Sequence, residues 1–139
     1  MTAPSPLRAA VACDAHCIHP DAVQQARAAL SEEATALGLM AELFDALSDP
    51  TRLRLLVALL GGRLCTCDLA VVLGVTDSAV SHHLRLLKGL GLVATDREGR
   101  VAYHRLADDH VRALVEVARA HVEEELREVK PPSDTPVEA

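Results

Sequence analysis

Two short apolar-striped segments meet at Gly74-Val75, and this junction constrains the fold more than any other stretch of the chain. Cys65 to Leu73 reads as a short helix with Gly74 as its stop, because glycine takes the left-handed backbone that closes a helix at little cost. Thr76 can cap a following helix that runs to about Lys88. In that helix Val80, Leu84 and Leu87 recur at helical spacing and make an inward stripe, while Ser78, Ser81, His82 and Arg85 fall on the opposite face. Two short helices joined by a tight glycine turn read as a helix-turn-helix, whose second helix enters the major groove of DNA.

The flanks extend this unit. Gly89 and Gly91 end the second helix, and two short β-leaning runs, Leu92–Thr95 and Val101–Leu106, follow. They are joined by the charged, glycine-containing stretch Asp96 to Arg100, a hairpin or wing. Upstream, residues 21–37 are Ala-rich with Val23, Leu30 and Leu37, a first helix, and Met40, Leu43, Phe44 and Leu47 continue at helical spacing. Ser48-Asp49-Pro50 restarts the chain with a cap residue and a proline in the first turn, ahead of Leu53, Leu55, Leu56, Leu59 and Leu60. A last helix is expected from about Ala107 to Val129, its stripe made of Val111, Leu114, Val115, Ala118 and Val122, until Pro131-Pro132 stops it. The expected organisation is a flexible metal-binding arm over 1–20, a DNA-binding and dimerisation domain over 21–130, and a disordered tail over 131–139. The fold class is mainly α with a small β-hairpin.

Composition agrees with packed helices. The chain is 50% hydrophobic but only 1% aromatic, so its core must be Leu, Val and Ala. So few aromatics also exclude a single-strand nucleic-acid binder built on stacking platforms. The net charge of −6 is unevenly spread: residues 1–50 carry 2 basic and 7 acidic side chains, residues 51–106 carry 8 and 4, and residues 107–139 carry 4 and 9. The positive block coincides with the DNA reader, and local charge sets phosphate affinity. Arg85 is suited to guanine and the serines to either base, with His82 beside them; Arg97 and Arg100 on the wing suit phosphate or the minor groove. His83 turns toward the domain or a phosphate. No segment approaches the roughly 18 apolar residues of a membrane span, and the N-terminus is a poor signal peptide, so a cytoplasmic location is expected.

The cysteines and histidines then need a role. All 4 cysteines fall into two pairs, Cys13/Cys17 and Cys65/Cys67, and in a reducing compartment such pairs favour metal or redox chemistry over structural disulfides. Cys65 and Cys67 are two apart, about 200° around a helix, so they converge only at a frayed or extended helix start. Two thiolates half fill a tetrahedral site for zinc, cadmium or lead. Cys13 and Cys17 can complete it, and Asp14, His16 and His19 crowd the same arm as further donors. On the last helix, His110 and His121 face the same way but lie about 16 Å apart along the axis. One helix cannot bring both to one ion. Two antiparallel copies can, with Asp108 and His110 of one meeting His121 and Glu124 of the other, a set suited to zinc.

The stretches Asp49-Pro50-Thr51-Arg52-Leu53-Arg54-Leu55-Leu56, Leu64-Cys65-Thr66-Cys67-Asp68-Leu69 and Val80-Ser81-His82-His83-Leu84-Arg85-Leu86-Leu87, in this order and spacing, resemble the ArsR/SmtB family of metal-sensing repressors. The resemblance covers roughly residues 38–125. It implies a homodimeric winged helix-turn-helix that binds an inverted-repeat operator as apo protein and releases it on binding Zn(II), Cd(II) or Pb(II), derepressing efflux or sequestration genes. It also implies two site types, a thiol site joining the arm to the C-x-C, with the arm supplied by the other subunit, and a site bridging paired C-terminal helices. This chain carries the residues of both. Where relatives often have an acid before the Leu-Cys-x-Cys core, this chain has Arg63, a cation that would favour thiolate without metal. That departure leaves a second reading, a thiol-redox or persulfide sensor using Cys65 and Cys67. A zinc hydrolase fits poorly, since four protein ligands per ion leave no open position and no substrate pocket is apparent. No membrane or small-molecule substrate is expected as a partner.

Overall fold

The computed structural model describes residues 17–129. They form α1 (Pro20–Glu32), α2 (Ala34–Leu47), α3 (Pro50–Leu59), β1 (Leu64–Cys65), α4 (Thr66–Leu73), α5 (Asp77–Gly89), β2 (Val93–Glu98), β3 (Val101–Leu106) and α6 (Asp109–Val129). The chain divides into a unit ending at Ala41 and a unit beginning at Glu42. In the first unit the structure differs from the sequence pattern. The expected helix over 21–37 is two helices, broken at Glu33, whose N–H still donates to the Ala29 carbonyl. No glycine or proline marks the break. Val23, Leu30 and Leu37, read as an apolar stripe, are exposed.

The second unit holds the core. Asp49 accepts a hydrogen bond from the Arg52 N–H at 2.9 Å and Pro50 begins α3, as the Ser48-Asp49-Pro50 pattern requires. That bond, more than burial opposes it, holds the Asp49 carboxyl below the usual carboxylate range. Leu55, Leu56 and Leu59 of α3 pack with Leu69, Ala70 and Leu73 of α4, with Val80, Leu84 and Leu87 of α5, and with Leu92, Val93, Leu106, Val111 and Val115. This buried set is Leu, Val and Ala without an aromatic ring, as the composition demands. On α6 only Val111 and Val115 of the expected stripe are buried, and Val122 is exposed. Arg112 at the start of α6 donates to the Leu60 carbonyl at 3.1 Å and so ties α6 to the end of α3.

The sheet is three-stranded and antiparallel, in the order β1-β3-β2. The sequence reading contained the hairpin but not β1. Leu64 pairs with His104 and Cys65 with Tyr103, so the C-x-C begins inside the sheet that forms the wing. The wing itself is tighter than expected. Strand β2 continues to Glu98, which pairs with Val101, leaving a two-residue loop, Gly99-Arg100. Gly99 has φ 61° and Arg100 does not have positive φ, the pattern of a II′ hairpin turn with glycine at its first central position.

Candidate functional site

The DNA-reading unit is built by short-range rules. Gly74 closes α4 in the left-handed conformation, φ 67° and ψ 35°, and Val75 donates back to the Ala70 carbonyl. Thr76 then caps α5 by accepting from the Ala79 N–H at 3.1 Å. With Val80, Leu84 and Leu87 buried beneath α5, Ser78, Ser81, His82 and Arg85 are left on its exposed face. His83 is half-buried; its Nδ1 is enclosed without a hydrogen-bond partner among the described residues, and its ring faces the Asp49 carboxylate. On the wing, Asp96 engages Arg105 at 2.8 Å and Glu98 engages Arg63 at 2.7 Å. Arg97 and Arg100 are exposed and enter no ion pair among the described residues, so their charges are free for phosphate.

The thiol pair occupies a frayed helix start, as its spacing required. Cys65 leaves β1 and becomes the N-cap of α4. Its Sγ accepts from the Asp68 N–H at 3.5 Å while its own N–H donates to Asp68 Oδ2 at 3.2 Å. Cys67 lies exposed in the first turn of α4, its Sγ donating to Asp77 Oδ2 of α5 at 3.7 Å. Asp77, followed by burial and by Cys65, pushes the Cys67 thiol above its ordinary pKa. The expectation that Arg63 would favour thiolate fails here: its guanidinium is spent on Glu98 and lies 4.4 Å over the Tyr103 ring. Cys17 is exposed just before α1, and His19 sits at the start of α1 without capping it. Cys13, Asp14 and His16 lie outside the described residues, as do the tail residues 131–139.

At the other set, Asp108 turns back to cap α6, accepting from the Val111 N–H at 3.0 Å. Its Oδ1 lies 3.6 Å from His110 Nδ1, and the His110 ring is 98% exposed. His121 and Glu124 are exposed further along α6. Among the described residues no three His, Cys, Asp or Glu side chains gather in a way that could hold a metal ion. The donor chemistry fits a borderline or soft metal, since imidazole, carboxylate and thiolate are all present and accessible. Each set needs donors from beyond its own segment, which is what the spacing along one helix and around the C-x-C already demanded.

One polar cluster escaped the sequence reading. His104 on β3 is only 4% exposed, yet both ring nitrogens are bonded, Nε2 to Thr66 Oγ1 at 3.0 Å and Nδ1 to Thr95 Oγ1 at 3.0 Å. Burial, and secondarily Lys88, lowers its pKa, so the ring is neutral at pH 7. Thr66 is the residue between the two cysteines, and Thr95 is the cross-strand partner of His104 in the wing. The signal was the alternation of β3, in which His104 and Leu106 share the buried face.

Residues 49–95 match the bacterial regulatory protein, arsR family. The chain is similar to the transcriptional repressor SmtB homolog of Synechocystis sp., 44% identical over 112 residues that cover 81% of this chain and 84% of that protein. It is also similar to the cadmium resistance transcriptional regulatory protein CadC homolog of Staphylococcus aureus, 41% identical over 113 residues that cover 81% of this chain and 92% of that protein. Among solved structures it resembles the solution structure of apo-NmtR, with a TM-score of 0.59 and 39% identity over 76% of this chain and 87% of that one. It likewise resembles a homodimeric winged helix-turn-helix DNA-binding domain from Mycobacterium bovis, with a TM-score of 0.67 and 29% identity over 71% of this chain and 92% of that one.

Proposed function

The chain belongs to the arsR family of bacterial regulatory proteins, and from that premise we propose that it is a metal-responsive transcriptional repressor. The apo homodimer binds an inverted-repeat operator, and Zn(II), Cd(II) or Pb(II) releases it, derepressing efflux or sequestration genes. Ser78, Ser81, His82 and Arg85 read base edges, while Arg97 and Arg100 hold the backbone or minor groove. Cys65 and Cys67 with Cys13 and Cys17 make the thiol site, with His16 and His19 as further donors. Asp108 and His110 meet His121 and Glu124 of a second copy at the other. Apolar side chains left exposed on α2 (Leu39, Met40, Phe44) and on α6 (Val122, Leu126) support a partner copy. No helix among the described residues is long and apolar enough to cross a membrane, which agrees with a site of action on DNA in the cytoplasm.

The observation that carries the proposal is that the C-x-C is built from the same elements as the DNA reader. Cys65 pairs with Tyr103 in the wing sheet and caps α4, the first helix of the helix-turn-helix. A change in the bonding of its sulfur therefore acts on the cap and on β3 together. A metal bound by thiolates supplies the force that draws donors from separate segments to one point, and the coupling it must deliver is only a few kcal/mol. The redox reading is less well supported, because the Cys67 thiol is held protonated by Asp77 rather than activated by Arg63.

The test is fluorescence anisotropy on an operator selected in vitro, titrated with zinc, cadmium or lead, for wild type and the variants Cys65→Ser/Cys67→Ser and His110→Ala/His121→Ala. Metal releases DNA from wild type, and the variant that loses this response names the sensing site. Release in neither wild type nor variants overturns the proposal.

A further inference from the structure

We infer that Asp77, the first residue of the recognition helix α5, is an oxygen ligand of the metal held by the C-x-C. This rests on the thiol-site reading and adds a donor that neither the cysteine pattern nor the spacing pointed to. Asp77 Oδ2 stands 3.7 Å from Cys67 Sγ, across the junction between α4 and α5. A tetrahedral ion with a sulfur bond of about 2.3 Å and an oxygen bond of about 2.0–2.2 Å separates the two donor atoms by about 3.5–3.7 Å. The apo spacing is thus already a tetrahedral edge, with the thiol proton occupying the position that an ion takes when it displaces that proton to solvent. The pair is exposed, so an ion reaches it without opening the core.

The local chemistry favours this use of Asp77 over an ordinary role at a helix start. The α5 cap is already supplied by Thr76, so the Asp77 carboxylate is not needed to satisfy the first turn. Its one side-chain hydrogen bond runs to Cys67. Neighbouring Asp68, by contrast, is committed to the Cys65 N–H as half of a capping box.

With Cys65 and Cys67, Asp77 brings three donors from the helix-turn-helix itself, so the arm needs to supply only one to complete a four-coordinate ion. A mixed sulfur and oxygen set suits zinc and cadmium, which accept both donor types. Because Asp77 opens α5, ligation acts on the helix that carries Ser78, Ser81, His82 and Arg85, and the metal grips the reader at its base.

The experiment measures Cd(II) affinity by chelator competition, with the ¹¹³Cd NMR shift of the same samples, for full-length wild type, Asp77→Asn and Cys65→Ser/Cys67→Ser. Asp77→Asn weakens Cd(II) by at least about tenfold, the loss typical even for residues that only support a ligand. It also moves the ¹¹³Cd resonance, while apo operator affinity and thermal stability stay at wild-type level or better. If Asp77→Asn binds Cd(II) as tightly as wild type with an unmoved resonance, while the double cysteine variant loses binding, Asp77 is not a ligand and the thiol site stands. If the double cysteine variant also binds as wild type does, the thiol-site reading falls and this inference with it.

Discussion

Thr95→Val removes one hydroxyl and leaves a buried nitrogen without a partner. In the folded protein His104 Nδ1 meets Thr95 Oγ1 at 3.0 Å, and the ring is 4% exposed, so water cannot take the place of the lost group. Valine keeps the β-branched shape that a strand accommodates, which confines the change to the hydrogen bond. An unpaired buried donor or acceptor costs about 1–3 kcal/mol. For a domain of this size each kcal/mol moves the melting temperature by roughly 4–8 °C, so a drop of roughly 4–20 °C is expected in circular-dichroism melts at pH 7. The same cluster fixes a pH dependence. Burial lowers the folded pKa of His104 below the ordinary 6.5, so the unfolded chain takes a proton that the native ring refuses. Stability is complete above about pH 6.5 and falls as pH drops toward the lowered folded value. His104→Phe removes that share of the acid loss, so the wild-type and variant stability curves converge as pH falls from 7 to 5. A Thr95→Val melting temperature within a degree of wild type, together with parallel pH curves for His104→Phe, refutes the assignment of a dry, neutral, doubly bonded ring.

Leu87→Ala empties a fully buried position beneath the recognition helix and is expected to cost about 2–5 kcal/mol in urea unfolding, with operator affinity falling as the fold is lost. Arg85→Ala is expected to cost about 1–3 kcal/mol on the selected operator while affecting random DNA far less, because the side chain reaches base edges. Arg100→Ala, at the wing tip, weakens both DNAs alike and lowers the salt slope by about one unit, read from anisotropy at several salt concentrations.

The helix-turn-helix was legible because its signals are local: Gly74 and Thr76 stop and start helices by their own chemistry, and the Val80, Leu84, Leu87 stripe repeats with the helix period. The inability of a single α6 to close a site was equally legible, since it follows from rise per residue alone. What the sequence hid depends on partners distant in the chain. Strand β1 is two residues long and exists only by pairing with β3, 38 or more positions away, so no periodicity announces it. The fate of Arg63 was hidden for the same reason: Glu98 and Tyr103 lie across the sheet and withdraw its charge from the thiols. His104 looked like one more wing residue until Thr66 and Thr95 were brought to its two nitrogens. The break at Glu33 carries no helix-stopping residue type, and it divides a run whose apolar side chains end up exposed.

The central claim is that metal and operator DNA oppose each other on one dimer, and linkage makes it measurable from either side. Calorimetric titration of Zn(II) or Cd(II) into the free protein and into its complex with the selected operator reads the coupling directly. The account predicts metal binding to be weaker in the complex by the same factor by which metal weakens DNA, of the order of 5–150-fold. Equal metal affinities in the free protein and the operator complex contradict it.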